Sequence, residues 1–347
     1  MRYGFIGDFK FRLFATCFIK NILNVNMQIT QKIYIQIILI LLFSSGIYAQ
    51  QGKKVSNDYN SILEFHVDND FVFGTDVYFT QGLFIQAFAP FADKNPLNSL
   101  LLPFGKNAKV YHGISLIQNL YTPIEKSDSI VVADRPFAAY LLLQSKRISL
   151  YQKERGKIIS TLKIGVIGPP ALGEEMQNGI HSLLPTSSRI SGWQNQIKTD
   201  LMINYFVKYE KGIIQSSFFD FDLSAFGNLG VPYTNIGSEL NLRLGKFYNY
   251  FAALELSKQN SRQYYLSFNF NLKYTVYDAT LQGGLFNKNS VHTIAAGNIT
   301  RVIGGVKVFG NLSFNNFKIK IGTVFITREF ETGLSHKWGV LSLILGF

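Results

Sequence analysis

The sequence predicts an all-β fold: a twelve-stranded antiparallel up-and-down transmembrane β-barrel with a short helix in an outer loop. Three observations predict it. Apolar and polar residues alternate with period 2 through most of the chain, as in Leu266, Phe268, Phe270, Leu272 and Tyr274 interleaved with Ser267, Asn269, Asn271 and Lys273. The alternating segments run mostly to about 11–16 residues, longer than the ~5–6 of ordinary strands and enough for the ~9–11 that a tilted strand needs to cross a membrane. The chain also stops inside such a segment, Lys337–Phe347, with Leu341, Leu343, Leu345 and the terminal Phe347 on one face. That ending closes a barrel by pairing with the first strand and leaves no free edge.

The elements follow in order. Residues 1–26 read as an over-called extension upstream of Met27. Residues 27–49 read as a secretory signal peptide: Lys32, the apolar run Ile33–Phe43, then small residues ending at Ala49. That apolar core is too short to span a bilayer as a helix. Residues 50–347 are the barrel. Strands are predicted at 61–70, 76–89, 109–121, 136–151, 157–168, 199–210, 213–227, 234–246, 262–277, 300–314, 317–329 and 337–347. An even count puts both ends of the barrel in the periplasm. The periplasmic links are then expected to be short, as at Gln152–Gly156, Glu210–Gly212 and Asn315–Asn316, with 90–108 and 247–261 as long exceptions. Links 122–135, 169–198 and 278–299 face outside.

Composition narrows the function. Only 16% of the 347 residues are charged while Phe and Tyr number 31 and 18, which excludes a disordered or acidic solvating chain. The single cysteine, Cys17, lies within the first 49 residues, so disulfide, thiol and cysteine-metal chemistry are excluded from the barrel. Beyond residue 49 the chain carries 29 basic and 21 acidic residues, a net +8. The basic residues are scattered singly among aromatic ones, which fits an anionic lipid surface and argues against nucleic acid.

Three outer loops hold the candidate chemistry. The first strand ends in Glu64, His66, Asp68, Asn69 and Asp70, and alternation points Glu64, His66, Asp68 and Asp70 into the lumen with Asn69 outward. Buried carboxylates of this kind must be solvated, hydrogen-bonded or holding a cation. Thr80 on the returning strand has lumen parity and lies near Asp70 across the hairpin. The second loop offers Lys126, a cation that steadies an anionic headgroup or an oxyanion. In the third, Gly168, Pro169 and Pro170 break the strand and Leu172–Leu184 reads as a short helix with Met176, Ile180 and Leu183 or Leu184 on one stripe. Gln177 and His181 are four apart on a single face, and His181 is the candidate general base.

The segments VDND and DVYFTQG within 67–82, YTP at 121–123, DRPFAAYL at 134–141, IGVIGPPALGEEMQNGIHSLL at 164–184, GWQNQ at 192–196 and TREF at 327–330 together resemble the LpxR family of outer-membrane lipid A 3'-O-deacylases. The resemblance implies a twelve-stranded barrel and a calcium-dependent esterase site near the outer leaflet. It implies Asn69, Asp70 and Thr80 as Ca2+ ligands and catalytic residues, His181 as the base and Lys126 as the catalytic lysine. Gln177 and Asp68 stand as supporting residues. Phe71 and Ser187 stand where some members carry an acid. The implied activity is hydrolysis of the 3'-linked acyl or acyloxyacyl chain of lipid A by a monomer in the Gram-negative outer membrane, by water attack or by a direct Thr80 nucleophile. Against it stand a passive barrel, either narrow pore or structural protein, and an esterase for another glycolipid or a phospholipid.

Overall fold

The computed structural model describes residues 59, 61–73, 77–103, 107–131, 133–182, 189–254, 256 and 262–347. The expected extension 1–26 and signal peptide 27–49, and Leu183, Leu184 and Ser187, lie outside the described residues. Twelve strands form one closed antiparallel barrel in which each pairs with its neighbours in sequence and β1 pairs with β12. They are β1 (Ile62–Asn69), β2 (Tyr78–Phe88), β3 (Lys109–Thr122), β4 (Ala138–Tyr151), β5 (Gly156–Ile167), β6 (Asp200–Gln215), β7 (Phe219–Gly230), β8 (Tyr233–Lys246), β9 (Arg262–Asp278), β10 (Val302–Phe314), β11 (Phe317–Ile326) and β12 (His336–Gly346). No described helix is long and apolar enough to cross a membrane. The helices are α1 (Pro90–Asp93), α2 (Gly173–His181) and α3 (Ala279–Gln282).

Directly paired residues of antiparallel strands share a face of the sheet, so the register separates the two walls. The outer wall carries exposed Leu143, Ile164, Leu201, Ile203, Leu266 and Ile321. The inner wall is polar. Glu64 accepts from Gln86 (3.2 Å) and Ser342 (3.0 Å), Lys208 joins Glu210 (3.0 Å) and Glu239 (2.5 Å), and Arg243 joins Asp222 (2.6 Å). These charges persist in the lumen because they are matched by an opposite charge or a hydrogen-bond partner.

Two rims close this lumen differently. At the rim that holds both barrel termini, Ile62, Phe88, Ile148, Leu150 and Ile344 from the strands pack with Leu254 and Leu256 from the β8–β9 link. The described part of this link, residues 247–254 and 256, is therefore a plug folded inward, with Phe251 fully buried. A cavity of 210 Å³ separates it from the polar network above. At the opposite loop rim, Phe79, Tyr121, Tyr140, Met202 and Ala279 form an aromatic-rich cluster with Tyr233 and Trp338 against it.

One turn departs from expectation. Glu210–Gly212 is not a turn, since β6 continues to Gln215 through a bulge between Gly212 and Ile214. A side chain at 212 would collide with Phe251 and Arg155, so the glycine serves the plug rather than a bend. The turn falls at Ser216–Phe218, where the Ser216 hydroxyl accepts the Phe219 N–H (2.9 Å).

Candidate functional site

Asn69, Asp70 and Thr80 lie at the β1–β2 corner of the loop rim, where local rules are broken in sequence. β1 ends at Asn69, and Asp70 opens a 3-10 turn instead of extending the lumenal column. Its carboxylate accepts the Val77 N–H at 2.7 Å, which pins the returning chain. Tyr78 then adopts φ 64, a left-handed conformation that costs an aromatic residue ~1–3 kcal/mol. The packing around it offsets that strain: Tyr78 is buried against Phe330 and His336, and its hydroxyl accepts the Leu334 N–H (3.1 Å).

The next irregularity corrects the expected direction of Thr80. The β2–β3 register skips between Phe79 and Gln81, so Thr80 is the extra residue of a bulge. Bulges re-aim side chains. Here the Thr80 hydroxyl lies 2.6 Å from that of Thr122. Thr122 alternates with Tyr121, whose ring belongs to the inner cluster, so Thr122 and Thr80 face the outer wall and not the lumen. Asn69 pairs with Gln81, and Gln81 pairs with Leu120, on that same outer face. Asn69 therefore points out of the barrel as alternation predicts, with no bend in the strand. Asp68 is on the inner wall, 3.1 Å from His66, and does not join this group.

The outer wall beside this corner is unusual. Outward positions of a membrane barrel are ordinarily apolar. Yet Gln118 and Thr122 hold them at 2% and 0% exposure, with Thr80 and Gln81 buried next to them. The covering chain is visible at Gln118, whose side-chain amide donates to the Ala171 carbonyl at 2.6 Å. Ala171 ends a 3-10 turn after β5, Leu172 takes φ 57, and helix α2 starts at Gly173, one residue later than alternation and stripe alone predict. A Cβ on Gly173 would collide with Ala139 and Trp193, so only glycine lets the helix begin this close to the outer wall. Trp193 packs at a tilt against Phe137, ring centroids 5.0 Å apart, and anchors the return of the loop. The helix ends at His181 rather than Leu184. Along it Gln177 is buried and His181 half-buried, one turn apart on one face. Lys126 is half-buried in the β3–β4 link. Asp128 ties that link to the β5–β6 loop by accepting from Gln194 (2.7 Å) and Asn195 (2.8 Å).

Inside the same rim lies a group that sequence reasoning missed. Arg135 is buried, reaches Glu329 at 3.3 Å and Thr280 at 2.9 Å, and sits 4.3 Å above the Tyr121 ring. Burial pushes the Glu329 carboxyl up, but the Arg135 guanidinium together with His336 and Lys273 outweighs it and holds the group below its ordinary value. The neighbouring Asp134 carboxylate accepts the Ile124 N–H at 2.6 Å, and His292 meets the Asp134 carbonyl at 2.7 Å. These links join the β3–β4, β9–β10 and β11–β12 loops under the outer-wall site. The segments DRPF and TREF contain both ions, and the signal available was their charge inside apolar loop sequence.

The donors at the corner are hard oxygens: the Asp70 carboxylate, the Asn69 amide and the Thr80 hydroxyl. No group of three or more His, Cys, Asp or Glu suited to a metal occurs among the described residues. This donor set fits a cation of the calcium or magnesium kind, completed by carbonyls, water or substrate, and does not fit zinc.

Three comparisons with known proteins bear on this arrangement. The family model described as outer membrane protein LpxR matches residues 35–347. No curated protein matches the chain. Among solved structures, LpxR from Salmonella typhimurium matches with a TM-score of 0.66 and 19% identity, covering 82% of this chain and 100% of that one, which shows the barrel fold. The beta domain of the Bordetella autotransporter BrkA matches with a TM-score of 0.42 and 8% identity over 83% of this chain and 99% of that one. The translocator domain of the autotransporter NalP from Neisseria meningitidis has the same score at 9% identity, over 91% and 96%. With the family model spanning the whole barrel, the chain belongs to the LpxR family of outer membrane proteins.

Proposed function

We propose that this outer-membrane barrel is a lipid A deacylase, a carboxylic ester hydrolase that removes the 3'-linked acyl or acyloxyacyl chain with its loop rim facing the outer leaflet. The observation that carries the reading is the buried polar group on the lipid-facing wall, Thr80, Gln81, Gln118 and Thr122. Polar side chains at lipid-facing depth are costly unless they serve a site, and a site there meets membrane lipid rather than a solute in the lumen. Membership of the LpxR family supports the same substrate.

In the proposed mechanism the His181 imidazole takes a proton from the attacking water at a ring nitrogen and returns it to the leaving alcohol. Lys126 donates to the oxyanion that develops on the ester carbonyl. Asn69, Asp70 and Thr80 would hold a Ca2+ ion, which when bound would polarise that carbonyl. Gln177, one helical turn before His181, orients it. Attack by the Thr80 hydroxyl is the competing route, but a hydroxyl committed to Thr122 at 2.6 Å is better suited to holding than to attacking. A passive pore fits less well, because apolar and aromatic clusters fill the lumen at both rims. Closure of β1 on β12 leaves no strand edge, in keeping with a monomer.

Mass spectrometry of lipid A from cells with and without the protein tests the reading. The expected result is a mass loss equal to one acyl or acyloxyacyl group, abolished by His181→Ala and by a calcium chelator. Lipid A of unchanged mass, with phospholipid or another glycolipid altered instead, would move the substrate elsewhere. No lipid change at all would discard the enzyme.

A further inference from the structure

The link between β2 and β3 leaves the terminal rim, where an outer-membrane barrel ordinarily has a short turn in water. Here it is laid on the outside of the barrel. Asp93 meets His112 of β3 at 2.9 Å, the Asn95 amide donates to Ser145 of β4 at 3.1 Å, and Ser145 donates to Asn98 at 3.2 Å. Further along, Tyr205 of β6 donates to the Leu100 carbonyl (3.0 Å) and accepts the Leu102 N–H (2.9 Å). Ser145 alternates with exposed Leu143, and Tyr205 with exposed Ile203, so all these wall contacts are on the lipid-facing side. The link is a strap across β3 to β6.

Its own chemistry is graded. Asp93 and Lys94 are exposed at the start, while Leu100 and Leu102 stand 58% and 42% exposed at the far end, continuous with the apolar band of Leu143 and Ile203. The backbone at that end is unusually well satisfied for a connection. The N–H groups of residues 97, 98, 101 and 102 donate to Asn95 Oδ1, the Asn95 carbonyl, the Asn98 carbonyl and the Tyr205 hydroxyl. Pro96 and Pro103 have no N–H to satisfy. The Asn98 side chain donates to the Ala92 carbonyl at 2.8 Å. Irregular backbone tolerates lipid only when its polar groups are paired within protein. Loops that stay in water have no such requirement.

We propose that the strap Pro90–Leu102 is a membrane-embedded element, with Leu100 and Leu102 inserted among phospholipid acyl chains and Asp93–Lys94 at the headgroups. It fixes how the barrel sits in the bilayer, and it does not depend on the enzymatic reading.

Spin-label accessibility tests this in a chain with Cys17→Ser. Leu100→Cys, Leu102→Cys, the strand reference Leu143→Cys and the turn reference Lys153→Cys are labelled with a nitroxide. They are then reconstituted in vesicles of phosphatidylethanolamine and phosphatidylglycerol. The expected result is relaxation by oxygen exceeding that by a water-soluble nickel chelate at 100 and 102, as at 143, and the reverse at 153. Sorting of 100 and 102 with 153 would overturn the proposal. So would low accessibility to both reagents, the signature of a protein partner or second copy over the strap. Carbene labelling of the unaltered chain by a phospholipid with a diazirine in its acyl tail needs no folded variant. Adducts within 97–102 support the strap's insertion, and adducts confined to strand peptides refute it.

Discussion

The two rims of the barrel solve the same problem, an open lumen, with opposite chemistry. The terminal rim is closed by aliphatic and aromatic side chains that have no polar obligations, Ile62, Phe88, Ile148, Leu150, Leu256 and Ile344. The loop rim is closed over a buried ion pair, Arg135–Glu329, ringed by tyrosine hydroxyls and threonines, and beside it lie a left-handed Tyr78 and a bulged Thr80. Apolar packing needs only volume, whereas a buried charge needs a specific partner at a specific distance. The difference teaches where positioning matters. A closure built only to hold together belongs at the terminal rim, and the costly, directional one lies under the outer-wall polar group.

The sharpest way to break the comparison is Arg135→Met. It leaves Glu329 buried without its cation, at a cost of about 3–5 kcal/mol. Because the loss is confined to the loop rim, amide exchange should accelerate in the links 123–137, 278–301 and 327–335 while the terminal-rim strands keep their protection. Lipid A deacylation should fall with it. Uniform destabilisation of both rims would show that the ion pair supports the whole barrel and has no local positioning role.

Leu256→Ala is the matching cut at the other end. It removes a buried side chain from the plug at a cost of about 3 kcal/mol. The midpoint of denaturant unfolding should drop while deacylation by the folded fraction stays unchanged. Loss of activity in proportion to a change at the loop rim would mean that the two ends are coupled through the lumenal network.

The third test separates holding from attack at Thr80. Thr80→Val removes the hydroxyl bond to Thr122, a cost of about 1 kcal/mol. It should raise the calcium concentration needed for half-maximal activity, with Thr80→Ser close to the parent. Mass spectrometry should find no acyl group on Thr80 at any stage of turnover. A trapped acyl-enzyme would establish the competing route.

The two rims also differ in how far the sequence reveals them. The barrel was legible because strand alternation is a strictly local signal, and the strands stand within three residues of expectation at each end except β6 and β7, which flank the misread Glu210–Gly212 link. The turn at Glu210–Gly212 misled because a glycine that admits Phe251 of a distant link looks like a glycine that bends a chain. At the β1–β2 corner, the residue types of Asn69, Asp70 and Thr80 were readable through the family motifs, but the wall that Thr80 faces was not. Counting by twos carries Thr80 into the lumen, and a single bulge reverses it. Arg135 and Glu329 are 194 residues apart, so no local pattern pairs them. The outward Gln118 was visible as a polar residue on an apolar face, yet its partner is a backbone carbonyl in another loop, which no sequence pattern identifies.

Acid offers the gentlest probe of the contrast, and its sign follows from Glu329. The folded carboxyl titrates below its ordinary value because Arg135, His336 and Lys273 together favour the charged form more strongly than burial disfavours it. The unfolded carboxyl has a pKa of about 4.3. A group depressed in the folded state contributes stability that is present in full above the unfolded value and fades as pH falls through the folded one. The loop rim should therefore hold its amide protection from neutral pH down to about pH 5, then lose it progressively below about pH 4. The cluster at the terminal rim has no carboxylate among its packed side chains, its tyrosines titrating only in base, and should show no such step. Glu329→Gln should flatten the acid response of the loop rim. A step that survives in that variant would assign the acid sensitivity to another carboxylate of the lumen and remove Glu329 from the account of why the two ends differ.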